Sequence, residues 1–422
     1  MIVSFSFENW MSFRDKATIS AVASRQVWNV GRVPRLDKYK IRVVPTLAMY
    51  GGNASGKSNI FKALEFAQEL ITKGTGIDEE IDAKPFLLSP EFMERPSRFW
   101  FEIVVKERIY EYSFSVTRQA VCEEKLVEIR PASEKILYER RRNNRFTIHS
   151  KNKFLKYVER STRKNQLFLT NCILLNEEEY KDVYEWFRYG LKLVKPGALF
   201  GNLEDILVDK KSVEYKWINS MLGELDTNIV RLDSEDVEDT DIKNLVKKRP
   251  DAVGLGSRGE RYFIQLKNGE RNVKKLVLYH KGKGNRGVKF SASQESDGTM
   301  RLLELLPAFF LCAVHQEAKG ESSVVWFIDE LDRSIHYMLL HRLLENMLSS
   351  CNANSRSQLI FTTHDLLLMD QELFRRDEIM LIERDDFGAS SVIPLNEYKG
   401  VRLDKDIRKS YLQGRFGGIP KI

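Results

Sequence analysis

Gly51-Gly52-Asn53-Ala54-Ser55-Gly56-Lys57-Ser58 spaces two glycines, a lysine and a hydroxyl in the pattern of a phosphate-binding loop. The glycines let the backbone curl so that successive N–H groups point at phosphate oxygens, with Asn59 opening the helix that follows. In such a loop Lys57 reaches the β and γ phosphates and the Ser58 hydroxyl reaches Mg2+. A second group lies far along the chain. Val324-Val325-Trp326-Phe327-Ile328 is an apolar run that ends in Asp329-Glu330, which suits a buried strand carrying one carboxylate to a metal and the next toward an attacking water. A third apolar run ends in Phe361-Thr362-Thr363-His364-Asp365. His364 would emerge at the strand edge where α/β sheets hold ligands, placed to sense a γ phosphate. Together the three groups predict ATP and Mg2+ as cofactors, with Ser58 and Asp329 on the metal and Glu330 and His364 as the catalytic pair.

Each group needs an element to hold it. Val43 to Tyr50 reads as a strand running straight into Gly51, and Asn59 to Ile71 reads as a helix with Ile60, Leu64, Ala67 and Leu70 on one face. An opening strand carries Ile2, Phe5 and Phe7. Phe99 to Val105 and Tyr110 to Val116 read as a hairpin, with further strands around Val121 to Arg130 and Ile136 to Arg140, an antiparallel patch. From Phe154 to Leu222 the pattern turns helical, most clearly in Glu177 to Leu193 and Val213 to Leu222, with turns at Lys195-Pro196-Gly197 and Gly201-Asn202. Two β-like segments, Tyr262 to Leu266 and Leu276 to Tyr279, flank Asn268-Gly269. An α/β alternation then resumes: helix Gly298 to His315, strand Val324 to Ile328, helix His336 to Leu348, and strands Gln358 to Thr362 and Ile379 to Ile382.

A chain of 422 residues with 42% hydrophobic content can bury a sizeable core and hold two or three domains. Cys122, Cys172, Cys312 and Cys351 lie far apart without metal-ligand spacing, so neither a disulfide framework nor a zinc site is expected. A reducing cytoplasm fits this usage. The opening MIVSFSFENW lacks the pattern of a signal peptide, and the apolar run Leu302 to Val314 is broken by Glu304 and Pro307, so no membrane span is expected. The net charge of +7 is unevenly spread. Lys243 to Lys289 carries fourteen Lys and Arg against three acids, while Asp233 to Asp241 just upstream is acidic. Arg140, Arg141, Arg142 and Arg145 form another basic run, open to a protein or RNA partner.

The order of these motifs, with Glu295-Ser296-Asp297-Gly298-Thr299 opening the helix before the Asp329 strand, resembles an ABC-type ATPase of the SMC, RecF and OLD group. Phe7-Glu8-Asn9-Trp10-Met11-Ser12-Phe13-Arg14, the stretch ESDGTMRLL, Asp329-Glu330-Leu331-Asp332-Arg333-Ser334-Ile335-His336 and the Tyr411 to Pro420 segment resemble its AAA15-type subgroup, similar to the AbiL/RloA and PARIS ATPase subunits of bacterial anti-phage systems. The resemblance implies an ABC-type P-loop ATPase head: a mixed sheet flanked by helices, an antiparallel β patch and a helical insertion. It divides the chain into an N-terminal lobe over 1–150, a mainly helical insertion over 151–250 and a C-terminal lobe over 251–422. It further implies that Ser296 and Gly298 of one protomer cap the γ phosphate held by another, in a homodimer or higher oligomer. A helix N-terminus with small residues suits that task, and a plain N-cap fits Ser296 as well. The sequence departs from the group in having no clear glutamine between the phosphate-loop helix and the first hairpin, and in His336 standing where an aspartate is usual.

The function implied is an ATP-binding and hydrolysing dimeric switch in anti-phage defence, controlling an effector protein encoded nearby. A nuclease domain around Glu383, Asp404 and Asp406 is not expected, since 39 residues follow Glu383. The alternative is a DNA-binding repair ATPase of the RecF or Rad50 type, with Lys243 to Lys289, including Lys274, Lys275, Lys281 and Lys283, on DNA or RNA phosphates. The same charges also fit an ordinary solvated sheet face.

Overall fold

The computed structural model describes residues 1–197, 206–207, 209–225, 227–238, 240, 260–267, 270–283, 287–314, 323–398 and 407–416. The chain divides into two compact units, the first formed by Met1–Lys195, His315–Leu331 and Leu348–Ile422, the second by Pro196–Val314 and Asp332–Met347.

The first unit opens with strands β1 (Ile2–Glu8), β2 (Ala17–Ser20), β3 (Arg35–Leu36), β4 (Ile41–Arg42) and β5 (Thr46–Gly51), followed by helices α1 (Lys57–Thr72) and α2 (Pro90–Met93). Then come β6 (Ser97–Val105), β7 (Arg108–Val116), β8 (Val121–Arg130), β9 (Ser133–Arg141) and β10 (Arg145–Ile148). Helices α3 (Leu155–Ser161), α4 (Phe168–Leu174) and α5 (Lys181–Glu185) lead through a π-helical turn, Trp186–Gly190, into β11 (Leu191–Val194). Among the described residues one sheet of this unit is antiparallel, in the order β10-β9-β8-β7-β6-β1-β2. Its strands alternate, and the inward set is aromatic: Phe5 stacks on Phe101 at 4.8 Å and Phe99 on Phe114 at 5.1 Å. Helices α3 to α5 and the π-helical turn bury Leu155, Phe168, Val183 and Phe187 in the same core.

The second unit holds helix α6 (Val213–Glu224), strands β12 (Ile229–Asp236), β13 (Tyr262–Lys267), β14 (Glu270–Lys281) and β15 (Gly287–Ser291), helix α7 (Asp297–Ala313) and most of helix α8 (Tyr337–Ser350). Its strands pair antiparallel in the order β12-β14-β13, with β15 on β14. Trp217 of α6 meets Phe310 of α7 at 5.6 Å between ring centroids.

The remaining elements return to the first unit: β16 (Val325–Ile328), β17 (Gln358–Thr362), β18 (Ile379–Arg384), β19 (Ser390–Pro394) and the short helix α9 (Ile407–Leu412). They complete the other large sheet, β11-β16-β17-β5-β18-β19, which is parallel except for β19 at its edge. Every residue of β5, β16 and β17 is buried, as continuous apolar runs covered on both faces require. The expected α/β class, a mixed sheet flanked by helices with an antiparallel patch, is what the strands form.

Three expectations are corrected. The helical pattern does not continue to Leu193. It stops at Gly190, and Leu191-Lys192-Leu193-Val194 pairs in parallel with Val325 to Ile328. The alternation of that tetrapeptide is a strand signal hidden behind a longer helical one. The block 151–250 is therefore not one helical insertion, because its part before Pro196 belongs to the first unit and its later part includes β12. Arg140 is not a surface residue: it is 1% exposed and donates to the carbonyls of Gln166, Arg163 and Lys164 at 2.7, 3.3 and 3.2 Å. The turn at Gly201-Asn202, the Asn268-Gly269 dipeptide, Asp404, Asp406 and the end of the Tyr411 to Pro420 segment lie outside the described residues.

Candidate functional site

The parallel register brings three sequence-distant groups to one edge of the first unit. Leu359, Ile360, Phe361 and Thr362 of β17 pair with Thr46 to Met49 of β5, and Ile328 of β16 pairs with Phe361. On its other side β5 pairs with β18, Gly51 opposite Ile382. Since the strands run in parallel, the phosphate loop, Asp329-Glu330 and Thr362-Thr363-His364 all emerge at their carboxyl ends.

The phosphate loop has the backbone its residues predict. Gly56 takes φ 115°, which favours glycine, and Ala54 takes φ 60°. A Cβ at Gly51 would lie 2.5 Å from the Ile382 carbonyl and one at Gly56 2.7 Å from Ser390 Oγ, so both positions are closed to larger residues. Lys57 is 5% exposed, and its Nζ donates to the carbonyls of Gly51 and Gly52 at 2.7 and 3.1 Å. The ammonium thus lies in the mouth of the loop that would hold the phosphates. Ser58 and Asn59, the next two residues of α1, are half-buried, whereas Asn53 and Ala54 at the tip are exposed.

Two serines far apart in sequence brace this loop. Ser390 donates through Oγ to the Ser55 carbonyl at 2.6 Å, its Oγ lies 2.8 Å from Ser12 Oγ, and its N–H donates to the Ser12 carbonyl at 2.7 Å. Asn59 Nδ2 donates to Ser12 Oγ at 2.8 Å. Neither serine carries a local sequence signal for this role: Ser12 lies in the opening Phe7 to Arg14 stretch, and nothing local distinguishes Ser390.

Asp329 is 3% exposed, and its Oδ1 accepts from Thr362 Oγ at 2.6 Å. No Lys or Arg pairs with it among the described residues. A buried carboxylate without a cationic neighbour suits a metal ion. No cluster of three or more His, Cys, Asp or Glu that could hold a metal occurs among the described residues. Glu330 takes φ 52°, unusual for a non-glycine residue, and its N–H donates to Thr362 Oγ at 2.8 Å. His364 is exposed, with Nδ1 3.4 Å from Lys57 Nζ, Lys57 donating. The Asp329 N–H donates to the Val194 carbonyl at 3.0 Å, and the residue after Val194 is Lys195, paired with Glu65 at 2.7 Å.

In the second unit, Ser296 is exposed and caps α7, accepting from the Thr299 N–H at 3.1 Å. A Cβ at Gly298 would lie 2.6 Å from the Ser334 carbonyl, so glycine there leaves room for the turn before α8. His336 is exposed and accepts through Nδ1 from the Met338 N–H at 3.3 Å, at the start of α8. Part of the basic segment is paired with its acidic neighbour. Strand β12 lies against β14 with Glu235 opposite Lys275 and Asp236 opposite Lys274, and Lys274–Asp236 and Lys289–Glu235 pair at 3.0 and 2.7 Å. Lys281 and Lys283 are exposed, and the part of the segment over 241–259 lies outside the described residues.

Residues 47–370 match the family model described as "AAA domain, putative AbiEii toxin, Type IV TA system". None of the curated proteins matches the chain. Among solved structures, the SMC head domain from Thermotoga maritima is 12% identical, with a TM-score of 0.40 over 93% of this chain and 98% of that one. An SMC head bound to the C-winged helix domain of ScpA is 14% identical, with a TM-score of 0.39 over 93% and 97%. No helix among the described residues is long and apolar enough to cross a membrane.

Proposed function

The chain belongs to the AAA-domain family whose model it matches, and we propose that within it this protein is an Mg2+-dependent ATPase that works as a nucleotide-driven dimeric switch. The observation that carries the reading is the pair Asp329-Glu330. One carboxylate is buried without a cationic partner and the next is held in a left-handed turn, beside a strand that leads to His364. Lys57 and the loop N–H groups would bind the β and γ phosphates, while Ser58 and Asp329 would hold Mg2+. Bound Mg2+ would neutralise charge on the transferred phosphate. Glu330 would orient and deprotonate water, and His364 would meet the γ phosphate. Ser296 and Gly298 would come from a second protomer to the phosphates in this one, so that ATP favours the closed pair over separate chains. A nucleotide shifts a population only through such differential binding.

The role in anti-phage defence, with an effector protein held or released by the closed pair, rests on the sequence resemblance and on the toxin–antitoxin wording of the family description. Fold does not supply that output. The DNA-binding alternative draws less support, since Lys274, Lys275 and Lys289 already face Asp236 and Glu235. Glu330→Gln is the direct test. It should retain ATP, lose hydrolysis by about 100-fold or more, and accumulate as a dimer in ATP. Hydrolysis at the wild-type rate would sink the reading.

A further inference from the structure

Thr362 has one hydroxyl that serves both acids of the site. Its Oγ carries a single proton and two acceptor positions. The proton goes to Asp329 Oδ1 at 2.6 Å, the length of a charge-assisted O–H···O bond, and an acceptor position takes the Glu330 N–H at 2.8 Å. The Thr362 carbonyl accepts the Leu331 N–H at 3.0 Å. The parallel ladder between β16 and β17 ends at Ile328 and Phe361, so beyond that point the Thr362 side chain and carbonyl take over the two peptide N–H groups of the turn. The residue is 0% exposed, and its other neighbour in the sheet is Met49, two residues before the phosphate loop.

The geometry points to Thr362 as a positioning residue of the nucleotide site. Its hydroxyl commits one oxygen of Asp329, which would leave the other for a metal ion. The same hydroxyl holds the Glu330 peptide in a backbone region that a glutamate disfavours. Two residues later in the strand comes His364, so a single side chain ties the metal carboxylate and the water-activating residue to the segment that meets the γ phosphate. Volume does not explain this choice, because valine would fill the same space without the hydroxyl. This assignment rests on the ATPase reading for its catalytic consequence but not for its structural one.

The test compares full-length wild type, Thr362→Val and Thr362→Ser. In nucleotide-free protein, amide exchange at Glu330 should accelerate by about 10-fold or more in T362V, with the β5 amides unchanged and T362S close to wild type. In turnover, T362V should lower kcat by roughly 30-fold, leave KM for ATP within about threefold, and raise the Mg2+ concentration needed for half-maximal rate, with T362S restoring all three. Wild-type exchange and wild-type Mg2+ dependence in T362V would overturn the assignment, as would a T362S variant as impaired as T362V. If wild type proved unable to hydrolyse ATP while T362V still exchanged faster at Glu330, the ATPase reading would fall and the Thr362 assignment would stand.

Discussion

The two candidate halves of the nucleotide site are built differently. In the first unit Lys57, Asp329 and Thr362 are buried, and each functional group is tied by hydrogen bonds to a neighbouring strand or loop. In the second unit Ser296 is exposed and bonded only within its own turn among the described residues. A group held from several sides is pre-organised for a small, highly charged ligand, whereas an exposed helix cap can meet a phosphate only when something carries it there. The difference is what the proposed site, divided between two protomers, would require: a pre-organised cradle and a presented lid.

That contrast can be broken at each side. The largest effect is expected from Lys57→Ala, which should weaken ATP binding by about 100-fold or more in direct titration, since a buried charge-assisted contact to two phosphates is lost. Next comes Ser296→Asp. Aspartate caps helices as well as serine and suits a helix N-terminus, so the fold should hold its melting temperature. Its carboxylate would repel the partner's γ phosphate, so hydrolysis and ATP-driven dimerisation should fall by roughly 30-fold while a single protomer binds ATP normally. Equal loss of binding by both variants would erase the distinction between cradle and lid.

A smaller effect sharpens what holds the cradle side. Glu378 precedes β18 and is fully buried, with Oε2 accepting from Arg32 at 2.5 Å and from the Arg375 N–H at 2.8 Å. Burial pushes its carboxyl up to about 7, against the pull of Arg32. A carboxyl raised above its unfolded value stabilises the fold below the ordinary carboxylate range and loses that contribution as pH rises through about 7. Melting curves should therefore show wild type losing on the order of 1 to 2 kcal/mol across that window relative to Glu378→Gln. Parallel curves would contradict it. The smallest effect concerns the second unit, where Lys274→Gln with Lys275→Gln should cost less than about 1 kcal/mol, because these cross-strand pairs are solvent-accessible. Loss of a salt-sensitive DNA complex in that variant would instead revive the repair reading.

What was legible in the sequence was local. The phosphate loop, the apolar run into Asp329-Glu330 and the strand into His364 each carry their meaning within a few residues, and the sheet class followed from their alternation with helices. What was hidden depends on register between distant segments. Thr362 stood inside a motif read for its histidine, yet its partners lie 32 and 33 residues away. Ser12 and Ser390 meet across 378 residues. The acidic and basic stretches looked like separate features because pairing across β12 and β14 cannot be seen along the chain. Arg140 looked like one of a basic surface run, but β-strand alternation turns it inward while Arg141 faces out.

The central claim is that one protomer's cradle uses another's Ser296, and mixing two defective chains tests it directly. Lys57→Ala and Ser296→Asp proteins should each hydrolyse ATP far below the wild-type rate. In a mixed pair one of the two sites is assembled from the intact Lys57 of one chain and the intact Ser296 of the other. Equal mixing should therefore restore about a quarter of wild-type ATP hydrolysis, half the pairs being mixed with one working site each. A mixture no more active than its components, from chains shown to exchange partners, would contradict the account.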